Sequence, residues 1–129
     1  IFPQTPSGQC WKKDFGKFKV KEKEFLTNSL GNLLPLSMSI NSSLQNDCFI
    51  DKKKEKTNSD GVKLRMGYND GSHSEIEVSR NEEWTSQEIL ARGINILKFL
   101  EKRWNLKFES REGMLELLFL KFLEVEKEE

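Results

Sequence analysis

The stretch of residues 28–53, NSLGNLLPLSMSINSSLQNDCFIDKK, decides how the chain is interpreted. Its first part is a short apolar run from Leu30 to Ser37, which opens with Gly31-Asn32 and contains Pro35. Because proline has no backbone N–H to donate to a neighbouring strand, the run predicts an edge or irregular strand at best. Asn32 therefore opens a strand-like segment, although a simple turn at Gly31-Asn32 would explain the same residues.

The second part of the stretch predicts a helix that begins at Asn41. Asparagine followed by two serines is typical of a helix entry, and Leu44, Cys48 and Phe49 would share one face. The lysine-rich residues 52–56 end this pattern. An ordinary N-cap is the alternative explanation for the asparagine at this position.

The sequence on either side of this stretch is mostly helical in pattern. Before it, Trp11, Phe15 and Phe18 recur at near-helical spacing among lysines. After it, residues 62–66 and 75–79 alternate apolar and polar side chains around an Asp-Gly pair. This alternation predicts a β-hairpin with its turn at the Asp-Gly pair.

Two long amphipathic helices are predicted after the hairpin. Thr85-Ser-Gln-Glu88 has the pattern of a capping box and predicts the start of the first helix. The side chains expected to face the core are Ile89, Ile96, Leu97, Leu100 and Trp104. The second helix is predicted over about residues 111–125, before an acidic tail. The predicted fold class is α+β and predominantly helical, in a single domain over residues 1–129.

Composition and charge restrict the functions that the chain can have. Hydrophobic residues make up 36% and charged residues 33%, as in soluble globular proteins. No apolar run approaches the roughly 18–20 residues that span a bilayer, so no membrane partner is expected. The net charge is zero, but residues 1–56 contain ten lysines against six acidic residues. Such a basic half suits phosphate binding, although lysine runs are also common on solvated surfaces.

The cysteines and the one histidine point to no metal site. Cys10 and Cys48 have neither C-x-x-C spacing nor a histidine partner, so a zinc site is not expected. Two unpaired thiols fit a reducing cytoplasm better than a disulfide scaffold, and we expect a cytoplasmic protein. His73 lies in a Gly-Ser segment away from the asparagines and is expected to be a surface histidine.

Three segments together resemble the tail of an HNH nuclease motif. They are the opening Ile1-Phe2-Pro3-Gln4, the Gly-Asn-Leu at residues 31–33 and the second Asn nine positions after Asn32. Phe49-x-x-Lys52 and the Trp84-x4-Ile89-x2-Arg92 pattern extend this likeness. Together they resemble the C-terminal HNH-like (His-Me finger, ββα-metal) nuclease domain of GmrSD-type modification-dependent restriction enzymes. The resemblance implies a truncated ββα-metal motif followed by the β-hairpin and the two long amphipathic helices.

The resemblance also implies roles for particular residues. Asn32 corresponds to the catalytic asparagine that fixes the general base, and Asn41 corresponds to a metal ligand. Lys52 and Lys53 are expected to contact DNA phosphate, and Arg92 is expected to be structural. The implied cofactor is Mg²⁺ or Mn²⁺. The implied partners are DNA and an N-terminal ParB-like nucleotide-dependent domain of the same protein.

The family motif has an acidic residue and the catalytic His directly before the Ile-x-Pro, and the sequence shows neither before Ile1. We therefore expect a fragment that lacks this strand and is inactive as written. Two functions remain open. The first is a metal-dependent DNA endonuclease domain, hydrolysing phosphodiesters in bacterial phage defence. The second is a non-catalytic nucleic-acid-binding or scaffolding domain with a degenerate HNH fold.

Overall fold

The computed structural model describes residues 1–125 as a mostly helical chain with one small β-hairpin. The helices are α1 (Gln9–Phe15), α2 (Val20–Asn28), α3 (Met38–Leu44), α4 (Phe49–Lys52), α5 (His73–Ser79), α6 (Ser86–Trp104), α7 (Arg111–Leu118) and α8 (Phe122–Val125). Short 3₁₀ turns cover Leu30–Asn32 and Tyr68–Asp70. The α+β, predominantly helical class is confirmed. The acidic tail predicted after residue 125 lies outside the described residues.

The β-hairpin pairs β1 (Lys56–Thr57) with β2 (Lys63–Arg65) in antiparallel register, and the register is irregular within β1. The prediction of a strand at residues 75–79 is wrong, because these residues belong to α5. The Ser72 hydroxyl accepts from Glu75 N, and the Glu75 carboxylate accepts from Ser72 N. This capping box starts a helix and overrides the alternating pattern.

The helix predicted from Asn41 is also different in the structure. Helix α3 begins three residues earlier, because Ser37 is the N-cap and its hydroxyl accepts from Ile40 N. The helix ends at Leu44, because its C-cap Gln45 has a φ of 34°, and α4 starts only after Cys48. The strand-like run before it is a 3₁₀ turn followed by extended chain without a strand partner in the described residues.

The first long helix is confirmed, with Thr85 as N-cap and Glu88 completing the capping box. Trp104 was expected in the core but is 58% exposed, because it is the last residue of α6 and lies beyond the last buried position, Leu97. The second long helix is interrupted: Phe119 has a φ of 59° and ends α7. Helix α8 then begins three residues further on.

An aromatic cluster from the N-terminal segment forms one end of the core. The Phe2 and Phe15 rings stack with centroids 3.9 Å apart, and Trp11 packs against both. The rest of the core comes from α6 and the helices behind it, including Ile89, Leu115 and other side chains that are almost fully buried. Within residues 1–125, no helix combines the length and apolar character that crossing a membrane requires.

A disulfide joins Cys10 to Cys48, with their Cα atoms 6.0 Å apart. The expectation of two unpaired thiols is therefore wrong, and with it the argument from cysteine usage for a reducing compartment. Cys10 lies in α1 and Cys48 is the N-cap of α4. The cross-link ties the aromatic cluster to the segment that leads into Lys52.

Candidate functional site

A cavity of about 600 Å³ lies beside the backbone of the first residues, and we call it the N-terminal cleft. Its lining residues are Ile1, Phe2, Pro3, Gln4, Thr5, Thr27, Asn28, Asn32, Leu33, Leu34, Leu36, Asn41, Leu44, Gln45, Asn46, Lys52 and Tyr68. Three of the four residues predicted for the site line this one cavity: Asn32, Asn41 and Lys52. The fourth, Lys53, does not.

The side chain of Asn32 is fully engaged in hydrogen bonds and only 1% exposed. Its Oδ1 accepts from Phe2 N at 2.7 Å and from Trp84 Nε1 at 3.2 Å. Its Nδ2 donates to Phe2 O and to Thr27 O, both at 2.9 Å. A side-chain amide has two donor hydrogens and two acceptor lone pairs, so no capacity is left for a metal or substrate. Asn32 therefore holds the backbone at Phe2.

The 3₁₀ turn that carries Asn32 rests directly on helix α6. A Cβ at Gly31 would lie 1.9 Å from Ile89 O, so only glycine permits this approach. Arg92 Nη1 donates to Gly31 O at 3.0 Å and to Leu33 O at 2.6 Å, which agrees with a structural role for this arginine. Burial lowers the pKa of Arg92, and nearby Glu77 opposes that effect.

Asn41 lies in the middle of α3 with an exposed side chain that lines the cleft. The N-cap explanation for this residue is wrong, because Ser37 occupies that position. Its side-chain amide makes no hydrogen bond to any other group in the part of the chain that the structure describes. The amide is thus available to a ligand, unlike that of Asn32.

Lys52 is buried, at 4% exposure, although lysine runs usually lie in solvent. Its Nζ donates to Ile1 O at 2.8 Å and lies 5.5 Å from the centroid of the Trp11 ring. Burial lowers the pKa of Lys52 to about 8; Asp47 opposes this shift, and Arg65 adds to it. Two of the three ammonium hydrogens remain for a ligand in the cleft.

Lys53 and His73 lie away from the cleft lining. Lys53 is partly buried, donates from Nζ to Asn81 O at 2.8 Å, and lies over the Phe49 ring. His73 is exposed at the start of α5, as the sequence predicts.

The backbone of Ile1 and Phe2 is fixed at the edge of the cleft from both sides. Ile1 N donates to Asn32 O at 2.9 Å, Ile1 O accepts from Lys52, and the Phe2 amide pairs with the Asn32 side chain. Four hydrogen bonds therefore hold two residues. A residue joined to Ile1 N in a longer chain would begin at this edge.

The described residues do not by themselves form a site for a divalent metal. Residues 1–125 contain no cluster of three His, Cys, Asp or Glu side chains suited to one. Among the described residues, the cleft lining offers neutral amide oxygens, including that of Asn41, and the positive charge of Lys52, but no carboxylate. Mg²⁺ prefers carboxylate and water oxygens, so this lining is insufficient for it.

Sequence reasoning missed two participants in the site. Trp84 is part of the family pattern but had no predicted role in the site, yet its indole N–H donates to Asn32 Oδ1. Tyr68 lines the cleft, and burial raises its pKa. The Trp84-x4-Ile89-x2-Arg92 spacing was the available signal for the first, because all three residues meet the 3₁₀ turn. No local pattern marks Tyr68.

The structure defines a small helical domain with a polar cleft whose lining includes Asn32, Asn41 and the buried Lys52. The model of the family "GmrSD restriction endonucleases, C-terminal domain" matches residues 1–99. The chain belongs to this family, since the match covers about three-quarters of it. Searches of curated proteins and of solved structures found no match.

Proposed function

We propose that the chain is the metal-dependent DNA endonuclease domain of a bacterial phage-defence restriction protein. The family provides the endonuclease class. The observation that carries the proposal is that Asn32, Asn41 and Lys52 line one cleft, at whose edge the backbone of Ile1 is fixed. This arrangement suits hydrolysis of a phosphodiester by a base held next to Ile1.

In this proposal, the three cleft residues have separate tasks. Asn32 would fix the segment that carries the base, and the Asn41 amide oxygen would be one ligand of Mg²⁺ or Mn²⁺. The ion would stabilise negative charge that develops on the phosphate. The remaining ligands and the catalytic His would come from residues before Ile1. Without them the chain would be inactive, because no carboxylate or histidine of residues 1–125 lines the cleft.

The two lysines would bind DNA phosphate in different ways. Lys52 would use its two remaining N–H groups inside the cleft. Lys53 would act outside the cleft lining, since its Nζ also has donor hydrogens beyond the one on Asn81 O. Each contact would contribute about one unit to the salt slope of DNA binding.

The setting of the domain is part of the same proposal. Its partners would be DNA and a ParB-like nucleotide-dependent domain of the same protein. We place it in the cytoplasm, where a restriction protein would meet foreign DNA. The single HNH-like domain would comprise residues 1–129.

One observation favours the alternative of a non-catalytic nucleic-acid-binding or scaffolding domain. In the part of the chain that the structure describes, no acidic or histidine side chain lines the cleft. A domain with a degenerate HNH fold would retain the cleft and its lysine while binding without cleaving.

Plasmid nicking by the natural full-length protein distinguishes the two functions. With Mg²⁺ or Mn²⁺ present, the endonuclease should convert supercoiled plasmid to open circles, and Asn41→Ala should abolish this conversion. Asn95→Ala is the matched control, because Asn95 is also an exposed asparagine inside a helix but lies outside the cleft lining. DNA binding without nicking by the unaltered protein would support the alternative function instead.

A further inference from the structure

The side-chain amide of Asn32 has two hydrogen-bond partners besides the backbone of Phe2. Trp84 Nε1 donates to Oδ1, and Nδ2 donates to Thr27 O. An indole nitrogen is a donor only, and a backbone carbonyl is an acceptor only. These two partners therefore allow one orientation of the amide and exclude its flipped form, in which donor would face donor in a buried site.

The orientation that Trp84 selects presents a matched pair to the backbone of Phe2. One Oδ1 lone pair faces Phe2 N at 2.7 Å, and one Nδ2 hydrogen faces Phe2 O at 2.9 Å. The side chain thereby imitates the edge of a peptide strand. Because Trp84 and Thr27 already fix the amide, the side chain loses little further conformational freedom when it binds the backbone of Phe2. The position of that backbone is therefore well defined.

The turn itself is fixed by the same region of the helix. Arg92 donates to the carbonyls of Gly31 and Leu33, on both sides of Asn32. Ile89 contributes its backbone carbonyl as the surface on which Gly31 rests. The spacing Trp84-x4-Ile89-x2-Arg92 thus corresponds to three successive contacts between the start of α6 and one 3₁₀ turn.

We infer that Trp84 and Arg92 are positioning residues of the candidate nuclease site. They orient Asn32 and its turn, and through Asn32 they place Phe2, Ile1 and any residue that precedes Ile1. The inference for catalysis rests on the proposed function. Its structural part, that Trp84 fixes the backbone of Phe2, stands on the hydrogen bonds alone.

Two measurements on the natural full-length protein and its Trp84→Phe variant test the inference. Phenylalanine keeps an aromatic ring in the core but removes the N–H. In plasmid nicking, kcat should fall about 10- to 100-fold, the usual effect of losing an outer-shell partner, while KM for DNA changes less than about two-fold. Amide hydrogen exchange at Phe2 should become at least about tenfold faster than in the unaltered protein.

Trp104→Phe is the control for losing an indole, because Trp104 is exposed and outside the site. Arg92→Gln is the second variant if Trp84→Phe does not fold, and it should give the same separation of kcat from KM. A folded Trp84→Phe protein with unchanged kcat and unchanged exchange at Phe2 would overturn the inference. Failure of the unaltered protein to nick DNA would refute the proposed function, whereas the exchange result would still decide the role of Trp84.

Discussion

Lys52 gives a prediction whose size follows from its burial. The side chain is 4% exposed, and burial lowers its pKa from 10.5 to about 8. Between these two pH values the unfolded chain binds more protons than the folded chain, so the contribution of Lys52 makes the protein more stable as pH rises. Below pH 8 the lysine is charged in both states, and the folded state bears the full cost of burying that charge.

The magnitude can be worked out from the two pKa values. One pKa unit corresponds to 1.36 kcal/mol, so the contribution rises by roughly 2 to 3 kcal/mol between about pH 7 and pH 10. Lys52→Met keeps much of the packing and removes the titration. The free energy of unfolding of the unaltered protein, minus that of the variant, should therefore increase by this amount over the same range.

Urea unfolding followed by tryptophan fluorescence at several pH values between 7 and 10 measures this difference. Both cysteines of the chain are paired, so no thiol contributes to the titration. Lys98→Met is the control for removing a lysine, because Lys98 is exposed on α6. A difference that stays constant within about 0.5 kcal/mol from pH 7 to pH 10 would show that the reasoning from burial is wrong.

Three further predictions concern the residues around the cleft. Asn32→Ala should lower the free energy of unfolding by about 3 kcal/mol or more, since the buried backbone groups of Phe2 and the indole N–H of Trp84 lose their partner. A loss below about 1 kcal/mol in urea unfolding would contradict this prediction. Replacing Cys10 and Cys48 by serine should lower the free energy of unfolding by about 4 kcal/mol, since the disulfide joins residues 38 positions apart. Urea unfolding measures this loss, with the reduced unaltered protein as the comparison. Equal stability of the oxidised and reduced forms would contradict the prediction. Gly31→Ala should unfold the domain or shift its melting temperature down strongly, because its Cβ would overlap Ile89 O. At Gly113, inside α7, an added Cβ would make only an ordinary contact, 3.6 Å from Ser110 Oγ. Gly113→Ala should therefore stabilise by about 0.5–1 kcal/mol, and similar melts for both alanine variants would refute the steric argument.

Local signals in the sequence predicted the parts of the fold that local interactions determine. The capping box at Thr85 and Glu88 starts α6 as expected, and Trp11 and Phe15 lie on one buried face of α1. Where an alternating pattern competed with a helix cap, the prediction from the alternation was wrong. Residues 75–79 alternate like a strand, but the capping hydrogen bonds of Ser72 determine a helix.

Contacts between distant residues were beyond prediction from local pattern. The disulfide depends on how α1 packs against the segment before α4, which brings two residues 38 positions apart together. Lys52 belongs to a lysine run that looks solvated, and only the folded chain shows that it turns inward to Ile1. Asn32, Asn41 and Lys52 were predicted for the site by resemblance to a family. Only the folded chain shows that the Asn32 amide is fully hydrogen-bonded, whereas the Asn41 amide has no partner in the described residues.

The disulfide closes a covalent ring over residues 10–48, and Asn32 and Asn41 both belong to that ring. Leu33, Pro35 and the first residues of α3 form an exposed stretch between the two asparagines, where a protease has access. A single cut there would leave the Asn32 fragment and the Asn41 fragment tethered through sulfur. The nicked molecule would run as one band on a non-reducing gel and as two after reduction, which gives a direct readout of the oxidation state.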